Sequence, residues 1–297
     1  MDRTKMAQKQ MTLATTAQAK PDHRFTNLYS LMHWDYWLRC AADTVLARPG
    51  STTAGVDGMT RFHFKERYDE EIAALRDRLK RKTYVPQPVR RVHIPKSAGK
   101  TRPLGIATLR DRMVQEALRA ILDPIYEADF QPHSYGFRKG RCTMDAIAVL
   151  MPLFNTHVKH CYVIEGDLKS YFDTVHHRKL LSLLKRRIAD RDILDLIWKF
   201  LKAGVMDHGL FARTETGLPQ GAIIAPLLSN VYGRLFGRKG TVSSMTLCIG
   251  GNTHPHSGAM KGQAPHGGQL PEDSASRARD ADPQKANAWD RTGRVSR

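Results

Sequence analysis

Residues 1–24 are rich in Thr, Gln, Ala and Lys and show no sustained apolar face, the pattern of a mobile tail or a frayed helix. From Phe25 to Ala47 the apolar residues Leu28, Leu31, Trp34, Trp37, Leu38, Val45 and Leu46 recur at helical spacing and predict a buried helical element. Pro49-Gly50-Ser51 and Gly55-Val56-Asp57-Gly58 interrupt it, and Tyr68 to Lys82 resumes a helix with Ile72, Leu75 and Leu79 on one face. Between Tyr84 and Leu104 apolar and basic residues alternate around Ser97-Ala98-Gly99-Lys100, which predicts a basic hairpin. A helix follows from Arg110 to Tyr126, with Met113, Ala117, Ile121 and Leu122 together, then a short apolar strand over Cys161–Ile164. His177–Ile188 and Asp190–Ala203 predict two more helices, the second capped by Asp190 and stopped by Gly204. A second hairpin turning at His208-Gly209 and an apolar helix over Ile223–Leu235 complete the pattern. Residues 237–297 carry scattered apolar positions, many Gly and Pro and no Phe or Tyr, and are expected to be disordered.

Charge narrows the class of partner. A net charge of +18 on 297 residues favours a polyanion, nucleic acid before membrane. No apolar run reaches the roughly 20 residues of a membrane span. The four cysteines, Cys40, Cys142, Cys161 and Cys248, form no Cys-x-x-Cys. A reduced, cytoplasmic protein is the expectation.

Several residues could carry chemistry. Asp167, at the end of the expected Cys161–Ile164 strand, is placed to ligate Mg²⁺ with the Leu168 carbonyl as a second oxygen, or to start a helix. Phe172 could pack under a sugar or simply enter the core. In Gly217-Leu218-Pro219-Gln220-Gly221 the Gln220 amide could bond a base, sugar or phosphate, although the loop alone is a generic turn. Lys96, Lys100 and Arg102 of the basic hairpin could grip a triphosphate, Arg102 through its planar fork. Ser134-Tyr135-Gly136-Phe137-Arg138 suits a template strand or core packing. His176-His177 and His254-Pro255-His256 have no second ligand pair at a convincing spacing.

In order, Gly55-Val56-Asp57-Gly58-Met59-Thr60, Val89 to Lys96, Arg102-Pro103-Leu104-Gly105-Ile106, His133 to Arg138, the Asp167 segment and Leu218-Pro219-Gln220-Gly221 resemble the reverse transcriptases encoded by group II introns, also called maturases. The resemblance runs from about Gly55 to Leu235. It implies an α+β fold: a helical extension over residues 25–82, right-hand polymerase fingers over 83–160 and part of a palm over 161–236, between disordered tails at 1–24 and 237–297. It also implies RNA-directed DNA synthesis with Mg²⁺ on Asp167 and Leu168. Lys100, Arg102, Phe172 and Gln220 would then contact the nucleotide, and Arg90, Arg91, Lys96, Tyr135 and Arg138 the RNA. The partners implied are group II intron RNA, a DNA target or primer, and deoxynucleoside triphosphates.

This sequence departs from that pattern in one respect. No Ala-Asp-Asp follows the Gln220 loop, and Asp280-Ala281-Asp282 lies in a Gly/Pro-rich stretch without flanking strand residues. Two-ion phosphoryl transfer needs several carboxylates, so the expectation is a chain truncated within the palm that lacks polymerase activity. The rival expectation is an RNA-binding remnant without enzymatic activity.

Overall fold

The computed structural model describes residues 2–95, 101–155, 168 and 170–237. Lys96, Lys100, Asp167, the Cys161–Ile164 strand and almost all of the 237–297 segment lie outside the described residues. Helices α1 (Asp2–Ala19), α2 (Tyr29–Met32) and α3 (Asp35–Leu46) open the chain, followed by a 3₁₀ turn at Pro49–Thr52, α4 (Arg61–Glu66) and α5 (Tyr68–Lys80). Strands β1 (Val89–Pro95) and β2 (Thr101–Ile106) precede α6 (Leu109–Glu127) and α7 (Thr143–Asn155). Then come α8 (Tyr171–Thr174), α9 (His177–Leu184), α10 (Arg191–Lys202), β3 (Val205–Asp207), β4 (Leu210–Ala212) and α11 (Ala225–Gly237).

Helix α6 is buried on nearly every side because apolar residues fall outside a single stripe: Leu109, Met113, Val114, Ala117, Leu118, Ile121, Leu122 and Ile125 are all buried. Thr108 caps it, its hydroxyl accepting from the Asp111 backbone N–H at 3.1 Å. The Trp37 indole of α3 donates to the Ala117 carbonyl at 3.0 Å, which satisfies the polar end of a ring that is otherwise fully buried. Asp111 is buried too. It accepts from Tyr84 Oη at 2.6 Å, Thr108 Oγ1 at 2.7 Å and the Gln87 backbone N–H at 3.1 Å. Burial pushes the Asp111 carboxyl above its ordinary range, while those three donors favour the ionised form.

The four strands form one sheet in the order β2-β1-β3-β4. The expected basic hairpin is present: β1 pairs antiparallel with β2, with Arg90 opposite Ile106 and Pro95 opposite Thr101. The second hairpin joins it through a short parallel pairing, Val89 with Val205 and Arg90 with Met206. His208 and Gly209 both take positive φ, 48° and 83°, the two-residue turn whose twist matches antiparallel strands. Asp190 caps α10 as its position suggests, accepting from the N–H groups of Asp192 and Ile193.

Three expectations change. The Phe25–Ala47 element is two helices, because Trp34 takes an extended conformation (ψ 126°) and starts α3 afresh. Helices α4 and α7 form where the pattern gave no signal; α7 leaves Met144, Ile147, Val149 and Met151 exposed and buries Ala146. The N-terminal segment, expected as a mobile tail or a frayed helix, forms the 18-residue helix α1, with Leu13 and Ala17 buried. Gln10 Nε2 donates to the Ala120 carbonyl of α6 at 2.8 Å. The end of α1 is closed from far along the chain: Arg187 donates Nη2 to the Ala17 carbonyl at 2.9 Å and Nη1 to the carbonyls of Lys20 (2.9 Å), Pro21 and His23 (3.2 Å). A cation on the last carbonyls of a helix satisfies acceptors the helix cannot, and it complements the helix dipole.

Arg187 is 3% exposed. Removing a buried charge that serves several carbonyls leaves them without partners, so Arg187→Ala is expected to destabilise the protein by about 3–5 kcal/mol. Arg187→Lys, a point cation without the fork, should recover less than half of this, read as the shift in urea midpoint, and limited proteolysis should then cut within residues 2–24. An Ala variant with the wild-type midpoint would separate α1 from Arg187.

Candidate nucleotide and nucleic-acid site

The site is built where two segments far apart in sequence meet. The loop Gly217 to Gly221 lies along the end of α8: the Leu218 N–H donates to the Phe172 carbonyl at 2.7 Å, the Gly217 N–H to the Val175 carbonyl at 2.8 Å, and Thr216 Oγ1 to the Asp173 carbonyl at 3.3 Å. These bonds satisfy the carbonyls that a four-residue helix leaves open. On its other side the loop docks on β2, where the Gly105 N–H donates to the Gln220 carbonyl at 2.7 Å. Gly221 takes φ +101°, and a Cβ there would sit 2.7 Å from the Gly105 carbonyl oxygen. The backbones therefore approach only because both positions are glycine.

Arg102 Nε donates to Gln220 Oε1 at 3.2 Å. Both side chains reach solvent, and among the described residues Arg102 has no carboxylate partner. Phe172, whose carbonyl accepts from Leu218, is half-buried, with the exposed Phe137 ring edge-on at 6.2 Å and 88° and the Tyr171 ring at 5.9 Å. Helix α11 fixes both supports: Tyr171 Oη donates to the Ser229 carbonyl at 2.7 Å, and Asn230 Nδ2 donates to the Gly136 carbonyl at 2.9 Å. Ile223 N–H donates to Gln115 Oε1 of α6 at 2.8 Å. A guanidinium whose Nη nitrogens have no partner among the described residues, beside an amide, suits a phosphate-bearing ligand, and the exposed Phe137 ring suits stacking on a base.

His177, expected to be inert, holds this loop. It is 2% exposed, and its Nε2 lies 2.7 Å from the Gly217 carbonyl, so the buried ring carries its proton there. Burial lowers its pKa from the ordinary 6.5; the Gly217 bond opposes this, whereas Lys202 and His176 add to it. Spacing gave no sign of His177's role, since its partner is a backbone atom 40 residues away.

The predicted site residues divide accordingly. Arg102 and Gln220 are hydrogen-bonded, the Phe172 carbonyl accepts from the same loop at Leu218, and Leu168 is half-buried three residues before α8. Arg91 is exposed and faces Asp207 at 3.6 Å. Arg90 donates Nη2 to the Ala54 carbonyl at 2.8 Å and so anchors the Gly55 loop. Tyr135 and Arg138 are both buried. Arg138 forms a fork with Glu127 at 2.6 Å and donates to the carbonyls of Gln131 and Ser134, which leaves it a role in shaping the 131–138 turn. Among the described residues no helix is long and apolar enough to cross a membrane.

Comparison with known proteins gives the class. Residues 94–238 match the reverse transcriptase (RNA-dependent DNA polymerase) family, and the chain carries a domain of that family. Within it, the chain groups with group II intron-encoded reverse transcriptases and maturases. It is 46% identical over 228 residues to Protein YkfC of Escherichia coli, covering 76% of this chain and 60% of that one. It is 37% identical over 221 residues to the group II intron-encoded protein LtrA of Lactococcus lactis, covering 74% and 36%. It is 32% identical over 108 residues to nuclear intron maturase 2 of Arabidopsis thaliana, covering 36% and 14%. The chain thus spans between about one seventh and three fifths of these relatives' lengths.

Gly221→Ala should lower stability by roughly 1–3 kcal/mol and weaken the protection of the Gly105 N–H from hydrogen exchange. Gly58 supplies the control: at φ +70° with open space around it, its Ala variant meets only the backbone cost of about 1 kcal/mol and should leave Gly105 protection unchanged. His177 should make stability pH-dependent. Its contribution is complete above the unfolded pKa of about 6.5 and is lost as pH falls from there through the lower folded value. His177→Gln, which keeps a donor for Gly217, should flatten the urea midpoint over that window.

Proposed function

We propose that this chain is the fingers and opening palm of a group II intron reverse transcriptase, with Arg102, Gln220 and Phe172 forming the seat for an incoming deoxynucleoside triphosphate. The Arg102–Gln220 hydrogen bond carries this reading. It holds the guanidinium through Nε, and among the described residues both Nη nitrogens are left for phosphate oxygens, the geometry that suits an arginine fork. Phe172 would limit bulk at the sugar. Arg91 and Lys96 on the basic hairpin would meet the RNA backbone, and Lys100 would add a second cation at the phosphates. Group II intron RNA, with a DNA target or primer, is the partner this reading assigns.

Mg²⁺ is the family's metal, and Asp167 with the Leu168 carbonyl would hold it. Asp167 lies outside the described residues, and the 297 residues hold no Ala-Asp-Asp to add carboxylates. One carboxylate and one carbonyl do not fill a two-ion site. The reading for these 297 residues by themselves is therefore RNA binding and nucleotide docking without primer extension.

RNA affinity measured by filter binding from about 50 to 200 mM salt should fall linearly in log–log form, with a slope near −0.7 per phosphate contact. Arg91→Ala should reduce that slope by about one contact. Primer extension on an RNA template with Mg²⁺ should give no product. Extension by the wild type that Asp167→Ala abolishes would overturn the inactive reading, and weak, salt-insensitive binding would overturn the RNA reading.

A further inference from the structure

We propose that His93, Asp207 and His208 form a binding site for one first-row divalent transition ion of the Zn²⁺ class, joining β1 to the tip of the β3–β4 hairpin. One ligand atom from each residue lies within 4.8 Å of the others. The sheet brings them together. Strand alternation puts Val89, Arg91 and His93 on one face of β1, and the parallel pairing of Val89 with Val205 carries Asp207 to that same face. The turn then swings His208 over it, so that the two imidazoles lie nearly parallel, 6° apart in plane with centroids 6.4 Å apart.

The carboxylate between them is unusual. Among the described residues the buried Asp207 Oδ1 has no hydrogen-bond partner, and His208 Nε2 lies 3.7 Å from it. A buried acceptor without a donor is costly unless something occupies it. Asp207 Oδ2 faces Arg91 at 3.6 Å, but Arg91 is 38% exposed in its side chain and can turn to solvent.

At φ 48° His208 takes a turn position that Asn, Asp and Gly fill most often and that histidine also tolerates. His93 is exposed on β1. Neither imidazole has a core to fill.

Donor chemistry selects the ion. Two imidazoles and one carboxylate suit Zn²⁺ and its first-row neighbours, while Mg²⁺ prefers oxygen ligands. Tetrahedral ligation at about 2.0–2.1 Å separates ligand atoms by roughly 3.3 Å, so small rotations of two exposed rings close the site. Water would complete the coordination. Bound there, the ion cross-links two hairpins that otherwise share a short parallel pairing, and it would stiffen the basic hairpin against the rest of the sheet.

Untagged full-length protein, stripped with chelator, would be titrated with Co²⁺, followed by its visible absorption, and with Zn²⁺ in competition, with Mg²⁺ in excess throughout. One ion is expected at this site. His93→Ala and His208→Asn, the latter chosen because Asn accepts positive φ, should each weaken it at least about tenfold, and Asp207→Asn likewise. Their metal-free urea midpoints should match the wild type within error, which separates ligation from folding. His254-Pro255-His256 could bind metal independently, so a His254→Ala/His256→Ala variant should retain the site. Wild-type affinity in His93→Ala and His208→Asn, or binding lost only with His254 and His256, would overturn the proposal, as would no binding at all.

Discussion

The contact on which the site depends is the crossing of two backbones at Gly105 and Gly221. Here β2 and the Gln220 loop approach until the Gly105 N–H reaches the Gln220 carbonyl at 2.7 Å, with no side chain between them. Any Cβ at Gly221 would collide with the Gly105 carbonyl, and one at Gly105 would meet Val89 at 2.9 Å. This contact brings Arg102, three residues before Gly105, within reach of Gln220. The loop's far end is held by the α8 carbonyls, so one five-residue segment sets the distance between a hairpin and a helix that are unrelated in sequence.

Rigidity reaches this crossing through α6. Gln115 accepts the Ile223 N–H, and Asp111 gathers Tyr84, Gln87 and Thr108, so the polar groups of a buried helix fix the chain on both sides of the sheet. Each is satisfied, which is the condition under which buried polar groups specify one arrangement. Helix α11 performs the equivalent task from the other side, holding Tyr171 and the Gly136 turn through Ser229 and Asn230.

Elements with strong periodicity were legible in the sequence: α5, α6, α9, α10 and both hairpins follow from apolar spacing and turn residues. The Arg102–Gln220 contact was legible only through ordered motifs, because nothing local joins positions 102 and 220. Helix α1 was hidden for a physical reason. Its contact face rests on Leu13 and the small Ala17, and its end is closed by Arg187, 170 residues later. His177 was hidden in the same way. A histidine whose partner is a distant carbonyl leaves no pattern in spacing. Tyr135 and Arg138 show the converse case: an aromatic–glycine–aromatic–arginine run has two physical readings, and burial with Glu127 beside the guanidinium selects packing.

These placements also change how the charge of the chain should be read. A net +18 suggests a uniformly basic surface, yet many of the arginines serve internal acceptors. Arg90 holds the Ala54 carbonyl, Arg112 those of Gly50 and Thr53, Arg187 the end of α1, Arg138 binds Glu127, and Arg234 pairs with Asp129. Such groups contribute to the long-range field but have no fork to offer a phosphate. Arg102 differs because its partner among the described residues is a neutral amide, bonded through Nε. Net charge therefore predicts attraction to a polyanion, whereas the identity of each guanidinium's existing partner decides where a phosphate can be held.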